Sequence, residues 1–171
     1  MLSPRNKYEI ILRDAGCSNS VIEHCRAVTE CALDIATNNT LIDYNLLEVG
    51  SMLHDIGRGI THSIHHAQAG ADYCRSIGIP EPVARIVERH TGAGLSADEC
   101  TLLGLLPREC IPKTLEEKIV AHADNLIDNK KKGTIHEALY SAIHLNRKVR
   151  HRMYCLALDV EILCKKKNDF F

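Results

Sequence analysis

From Tyr8 to Leu163 the apolar residues recur at spacings of three and four, and no stretch shows the alternation of a half-buried strand. That period lines side chains along one face of a helix. It restricts the chain to an all-α fold, with helices packed face to face around a shared core. The stripes are short and punctuated. Ser3-Pro4 opens a first helix that Gly16 ends. Val21, Cys25, Val28, Ala32 and Ile35 mark a second, from Asn19-Ser20 to about 36, and Asn38-Asn39-Thr40 turns the chain. Asp43 caps a third, with Leu46, Leu47, Gly50 and Leu53 on its inner face, broken by Gly57 and Gly59. A fourth covers about 64–77 and a fifth about 81–91. Residues 92–113 are irregular, with room for one short helix near 96–103; such an excursion suits a lid or a substrate wall. Thr114 with Glu117 forms a capping box for a sixth helix to about 129. Thr134 with Glu137 forms another, opening one long helix or two in tandem to about 165. The expectation is a bundle of about seven helices in a single domain, 1–171. Its core covers about 20–130, packing helices cover 134–165, and the tail beyond is expected to fray.

The 171 residues are 45% apolar and 25% charged, with a net charge of -1 and no dominant basic face. That argues against a dedicated nucleic-acid binder, whose affinity rests on clustered Lys and Arg. No apolar run approaches the ~18 residues of a membrane span, and the first residues lack a signal-peptide core. A soluble, cytoplasmic protein is expected. None of the eight cysteines forms a Cys-x-x-Cys pair, so they read mostly as small buried hydrophobes. Lys130-Lys131-Lys132 reads as a solvated helix end favoured by the dipole, in preference to a phosphate grip.

Against this apolar background, several polar residues fall on inner faces. His24 lies three after Val21 and four before Val28. His54 shares the face of Leu47, Gly50 and Leu53, while Asp55 sits about 100° further round. His66 lies one turn before Gly70, His90 completes the face of Val83, Ile86 and Val87, and Asp124 falls with Val120 and Ile127. Each alone also reads as a satisfied core group: a histidine bonded to a carbonyl, a carboxylate capping a helix. Together they would need partners, and each other's company around a cation is the simplest supply. Imidazole and carboxylate suit first-row divalent metals, and four histidines with two aspartates suffice for two ions.

In order and spacing, His24, His54-Asp55 and Asp124 resemble the HD superfamily of all-helical, metal-dependent phosphohydrolases, over about residues 20–130. The resemblance implies that these four residues bind a first metal. His66 with Gly70, and His90-Thr91, resemble elements of the two-metal, HDIG-type branch that includes diadenosine tetraphosphate hydrolases. They imply a second metal at His66 and His90, with Asp55 as the bridge; because both histidines sit beside a loop or helix end, this ion is expected to be the more weakly held. Small archaeal members, among them a dihydroneopterin cyclic phosphate phosphodiesterase, are similar in size and pattern. No Gly-Tyr-Pro element follows His90, and Arg58 stands where many cyclic-di-GMP phosphodiesterases carry Lys.

The activity implied is hydrolysis of a phosphoester or phosphoanhydride of a small nucleotide-like or pterin phosphate by metal-activated water, with Fe, Mn, Ni, Co or Zn as the ion. Asp55 and Arg58 are the candidate catalytic residues. Arg58 reads either as a bidentate phosphate clamp or as a surface arginine; His62 and His65 read as leaving-group acids or as solvated loop residues. Two other readings keep the fold: a metal-stabilised regulatory module without turnover, and a di-iron oxygenase. The expected partner is a small-molecule phosphate, with no nucleic acid and no membrane, and the C-terminal stripe could serve a homodimer.

Overall fold

The computed structural model describes residues 4–128 and 130–164. The expected cap at Ser3 and the tail from Lys165 lie outside them. Nine α-helices are found among the described residues: α1 (Pro4–Asp14), α2 (Asn19–Ile35), α3 (Tyr44–Leu53), α4 (His66–Ser76), α5 (Glu81–Arg89), α6 (Ala97–Leu102), α7 (Leu115–Leu126), α8 (Ile135–Ser141) and α9 (Arg147–Cys164). The number exceeds seven because the short helix of the excursion forms and the C-terminal stripe divides at 142–146. The start signals act as their chemistry requires. The Asp43 carboxylate accepts from the Leu46 amide at 2.9 Å, and the boxes at Thr114–Glu117 and Thr134–Glu137 close in both directions. Ser96 and Glu99 make a third box, at α6.

α3 is the central element. Its Leu47 joins Val28, Ala32, Ile86, Ile119, Val120, Met153 and Leu156 in one apolar cluster. Its Val49, Met52 and Leu53 join Leu12, Ile22, Cys25, Cys74 and Val87 in another. α2 and α7 flank α3 on one side, and α4 and α5 pack together on the other. A buried ion pair ties α5 to α7: Arg89 donates to both oxygens of Glu117 at 2.9 Å. Six of the eight cysteines are buried, as small apolar groups; Cys155 is exposed and Cys164 half-buried.

Three expectations fail here. α7 stops at Leu126 instead of about 129, and a two-stranded antiparallel hairpin follows, β1 (Ile127–Asp128) paired with β2 (Lys131–Lys132). Strands of two residues are too short to show any period. The lysine run is therefore no helix end: Lys130 and Lys132 pair with Glu23 and Asp34, reaching back to α2. The stripe on α9 is also shorter than expected, since Met153, Leu156 and Val160 are buried while Leu163 is exposed.

Candidate metal centre

The site forms where α3 and α5 end and α4 begins. The last carbonyls of a helix lack partners within it, and here ring nitrogens supply them. His54 follows the end of α3 and donates Nδ1–H to the Ser51 carbonyl at 2.7 Å. His90 does the same after α5, to Val87 at 2.7 Å. His66 repeats the pattern at the start of α4, to Ser63 at 2.9 Å. A carbonyl can only accept, so each neutral ring carries its proton on Nδ1 and leaves the Nε2 lone pair bare. Such fixing of tautomer and orientation is what metal-ligating histidines require. The negative ends of α3 and α5 both face this point, which favours a cation.

The bare nitrogens meet one another. Nε2 of His66 and of His90 lie 3.1 Å apart, at 3.3 Å and 3.5 Å from Oδ1 of Asp55. Nε2 of His54 is buried without a hydrogen-bond partner among the described residues, 3.5 Å from Oδ1 of Asp124. That same oxygen accepts from Nε2 of His24 at 2.9 Å. Lone pairs facing lone pairs and carboxylates repel unless a cation lies among them. Bonds of about 2.1 Å to a shared ion would leave neighbouring donors about 3 Å apart. The donor set therefore fits a metal, and two groups of ligand atoms are close enough to hold one: His24, His54 and Asp124, and His54, Asp55 and His90.

Electrostatics agrees in part: burial alone would push His54 down, yet Cys25 and Asp124 raise it well above the usual imidazole range, so an ion seated there would displace a proton. Burial alone would push the Asp55 carboxyl up, yet the imidazoles of His90 and His54 hold it well below the usual carboxylate range. Asp124 is likewise held low, against its burial, by the hydrogen bond from His24 and by His54. Burial, together with the neighbouring His90, pushes His66 down to about 4. At neutral pH the site thus presents ionised carboxylates and a neutral His66, the forms that bind metal.

All six residues singled out by spacing come together. His54 is the donor common to both clusters, while Asp55 lies among His54, His66 and His90 and outside the group containing Asp124. Asp55 is also more inward than its helical angle implies. The α-helix stops at Leu53, and Asp55 takes φ -101° and ψ 17° ahead of a 3-10 turn (Ile56–Gly59), which swings the carboxylate to 9% exposure. His24 and Asp124 are about one-quarter exposed, at the wall of the cleft.

That cleft, of about 440 Å³, exposes the cluster together with Arg58, His62, Thr91 and Lys130. Arg58 Nε donates to Asp55 at 3.2 Å and Nη1 to the His62 carbonyl at 2.8 Å. His65 instead lies against the Gly104 carbonyl, 3.3 Å from Nε2. Of the 92–113 excursion only Gly92 lines the cleft, so the expected lid is not formed there. Gln68 pins that segment, exchanging hydrogen bonds with the Leu106 backbone. Thr91, whose hydroxyl is buried without a partner among the described residues, and Lys130 are cleft residues that helical spacing could not indicate.

The HD domain family matches residues 21–128, the segment that holds all six donors. The chain belongs to this family. An uncharacterized protein of Methanocaldococcus jannaschii is 46% identical to this HD domain protein over 127 residues, 72% of this chain and 75% of the relative. The tRNA (cytidine(56)-2'-O)-methyltransferase of Thermoplasma volcanium is 46% identical over 122 residues, 71% of this chain but 36% of the enzyme. The Picrophilus torridus enzyme of that name is similar, at 43% over 69% of this chain and 34% of its own length. The HD domain protein thus corresponds to about a third of those methyltransferases. Among solved structures, the HD domain of the L. monocytogenes phosphodiesterase PgpH in complex with cyclic-di-AMP superposes with a TM-score of 0.50, at 14% identity. It covers 96% of this chain and 99% of that one, and the likeness shows a common fold. Among the described residues no helix is long and apolar enough to cross a membrane.

Proposed function

We propose that this HD domain is a metal-dependent phosphohydrolase acting on a small phosphoester or phosphoanhydride, with two divalent ions held by His24, His54, Asp55, His66, His90 and Asp124. The observation that carries the reading is the set of bare imidazole nitrogens, with the unpartnered Nε2 of His54 at its centre. When bound, divalent ions would supply charge neutralisation at phosphoryl oxygens and acidify a bound water. The remaining work belongs to the chain. Asp55, braced by Arg58, keeps its oxygen toward His66 and His90. Arg58 has five N–H donors and uses two here, so it keeps donors for a phosphate oxygen on the cleft wall. His62, exposed on the rim, is placed to give a proton to a leaving oxygen. Ribonuclease Y of Acidothermus cellulolyticus, 30% identical over 60% of this chain and 18% of its own length, supports phosphoester chemistry.

A second reading is favoured by the methyltransferase relatives: a metal-stabilised module that accompanies a tRNA-modifying enzyme, without turnover of its own. One experiment separates the two. Wild type and Asp55→Ala are assayed with cyclic nucleotides, pterin cyclic phosphates and dinucleoside polyphosphates in Mn(II) or Fe(II), with circular dichroism as the folding control. The hydrolase reading expects wild-type turnover and a loss of at least 10³-fold in a folded Asp55→Ala protein, roughly the combined weight of positioning and metal activation. Undiminished turnover in the variant would exclude this site, and absence of wild-type turnover would leave the module reading in front.

A further inference from the structure

Lys130 occupies an unusual place in the chain. It immediately precedes β2 in the turn of the hairpin, and the hairpin itself directly follows the helix that carries Asp124. Its φ is 66°. Tight hairpin turns need positive φ and favour Gly, Asn or Asp there, because a β-carbon in the left-handed region is crowded. Among the described residues only Asn38 shares this feature outside glycine. Asparagine tolerates it; lysine gains nothing locally. A residue kept against its backbone preference points to its side chain as the reason.

That side chain lies on the cleft. Lys130 lines the same pocket as His24, Asp124, Arg58 and His90, and its ammonium pairs with Glu23, one residue before His24. Both partners are about half exposed, so the pair is weak, salt-sensitive and readily exchanged for a better anion. Arg58, the arginine of the cleft, comes from the 3-10 turn after α3 and is bonded to Asp55. The carboxylates and imidazoles of the cleft thus share it with two cations from separate elements. Among the described residues no Phe, Tyr or Trp lines the cleft to stack on a base. A compact ammonium on a flexible stem suits the terminal oxygens of a phosphate chain, whatever angle they present.

The geometry points to Lys130 as the contact for a second phosphoryl group of the substrate, beyond the one that reacts, so that the cleft takes a phosphoanhydride chain in preference to a lone monoester. This rests on the reading of the cleft as a phosphate site. Glu23 holds the ammonium in place until that group displaces it.

The test measures binding rather than turnover. Inorganic tripolyphosphate and orthophosphate, each titrated as its Mn(II) complex, are compared by calorimetry on Mn(II)-loaded wild type, Lys130→Gly and Lys130→Arg. Losing a charge-assisted contact should weaken tripolyphosphate about tenfold in Lys130→Gly, with orthophosphate changed less than about twofold and affinity largely restored by Arg. The melting temperature of Lys130→Gly should be unchanged or higher, because glycine relieves the turn; a merely structural lysine would lower it. Equal tripolyphosphate affinity in wild type and Lys130→Gly, equal losses for both anions, or no tripolyphosphate binding by wild type would each overturn the assignment. If tripolyphosphate binding depends on Lys130 while no phosphoester is turned over, the hydrolase reading falls and the subsite stands. If turnover is found and binding ignores Lys130, the reverse holds.

Discussion

At the ring of His54, one nitrogen closes the end of α3 and the other is buried without a hydrogen-bond partner among the described residues. Nε2 of His54 lies within reach of both groups of donors, but its single lone pair can ligate only one ion at a time. His54→Ala is therefore expected to lose about one equivalent of bound Mn(II) or Fe(II), the ion seated with His24 and Asp124, while His66→Ala loses the other. Metal per protein, counted by elemental analysis after dialysis, checks this; a His54→Ala protein that keeps two equivalents would remove His54 from the ligand set. His24 differs in kind, since its Nε2 is engaged by Asp124 at 2.9 Å and partly open to solvent.

At the scale of elements, the site depends on how closely the 3-10 turn meets α4. A β-carbon on Gly57 would lie 1.9 Å from the His66 carbonyl oxygen and 2.8 Å from the Gly70 amide. Two backbones therefore touch, and this contact sets the distance from Asp55 to His66. Both neighbours are backbone atoms, so they cannot rotate away. Gly57→Ala should destabilise the fold by about 3 kcal/mol, the upper range for overpacking, and lower affinity for the more weakly held ion. Urea unfolding and a metal titration measure the two effects; a wild-type midpoint would show that the turn and α4 separate at little cost.

Across the whole molecule, α9 reaches the segment beside the cleft. Arg152 donates to the Gly94 carbonyl at 2.7 Å and to Glu99 at 2.9 Å, while Glu99 caps α6. The C-terminal helix thus holds the 92–113 excursion down, although no residue of α9 lines the cleft. Arg152→Ala should cost about 2 kcal/mol, the weight of a charged hydrogen bond whose partner is left behind. It should raise amide exchange over 94–103 and leave metal content unchanged. Exchange that stays at the wild-type level would show that Gln68 and the small cluster of Cys100, Leu105 and Cys110 hold the segment unaided.

What the chain carries locally was legible in it. Helical period and capping chemistry depend on neighbours three or four residues away, so α1 to α5, α7 and the boxes at Thr114 and Thr134 could be read directly. The Ser96–Glu99 box is equally local, and α6 forms where the short helix near 96–103 is expected. The six donors were also visible, because a polar residue on an apolar stripe is a local anomaly. Their grouping was not, since it depends on contacts such as His24 with Asp124, 100 positions apart, that packing alone decides. Three further features are tertiary: the swing of Asp55 inward at the break after α3, the hairpin that brings Lys130 to the cleft, and the pinning of the excursion by Gln68 and Arg152. Each arises where a regular element ends. There, backbone angles answer to the nearest packed neighbour and no longer to the repeat that the sequence displays.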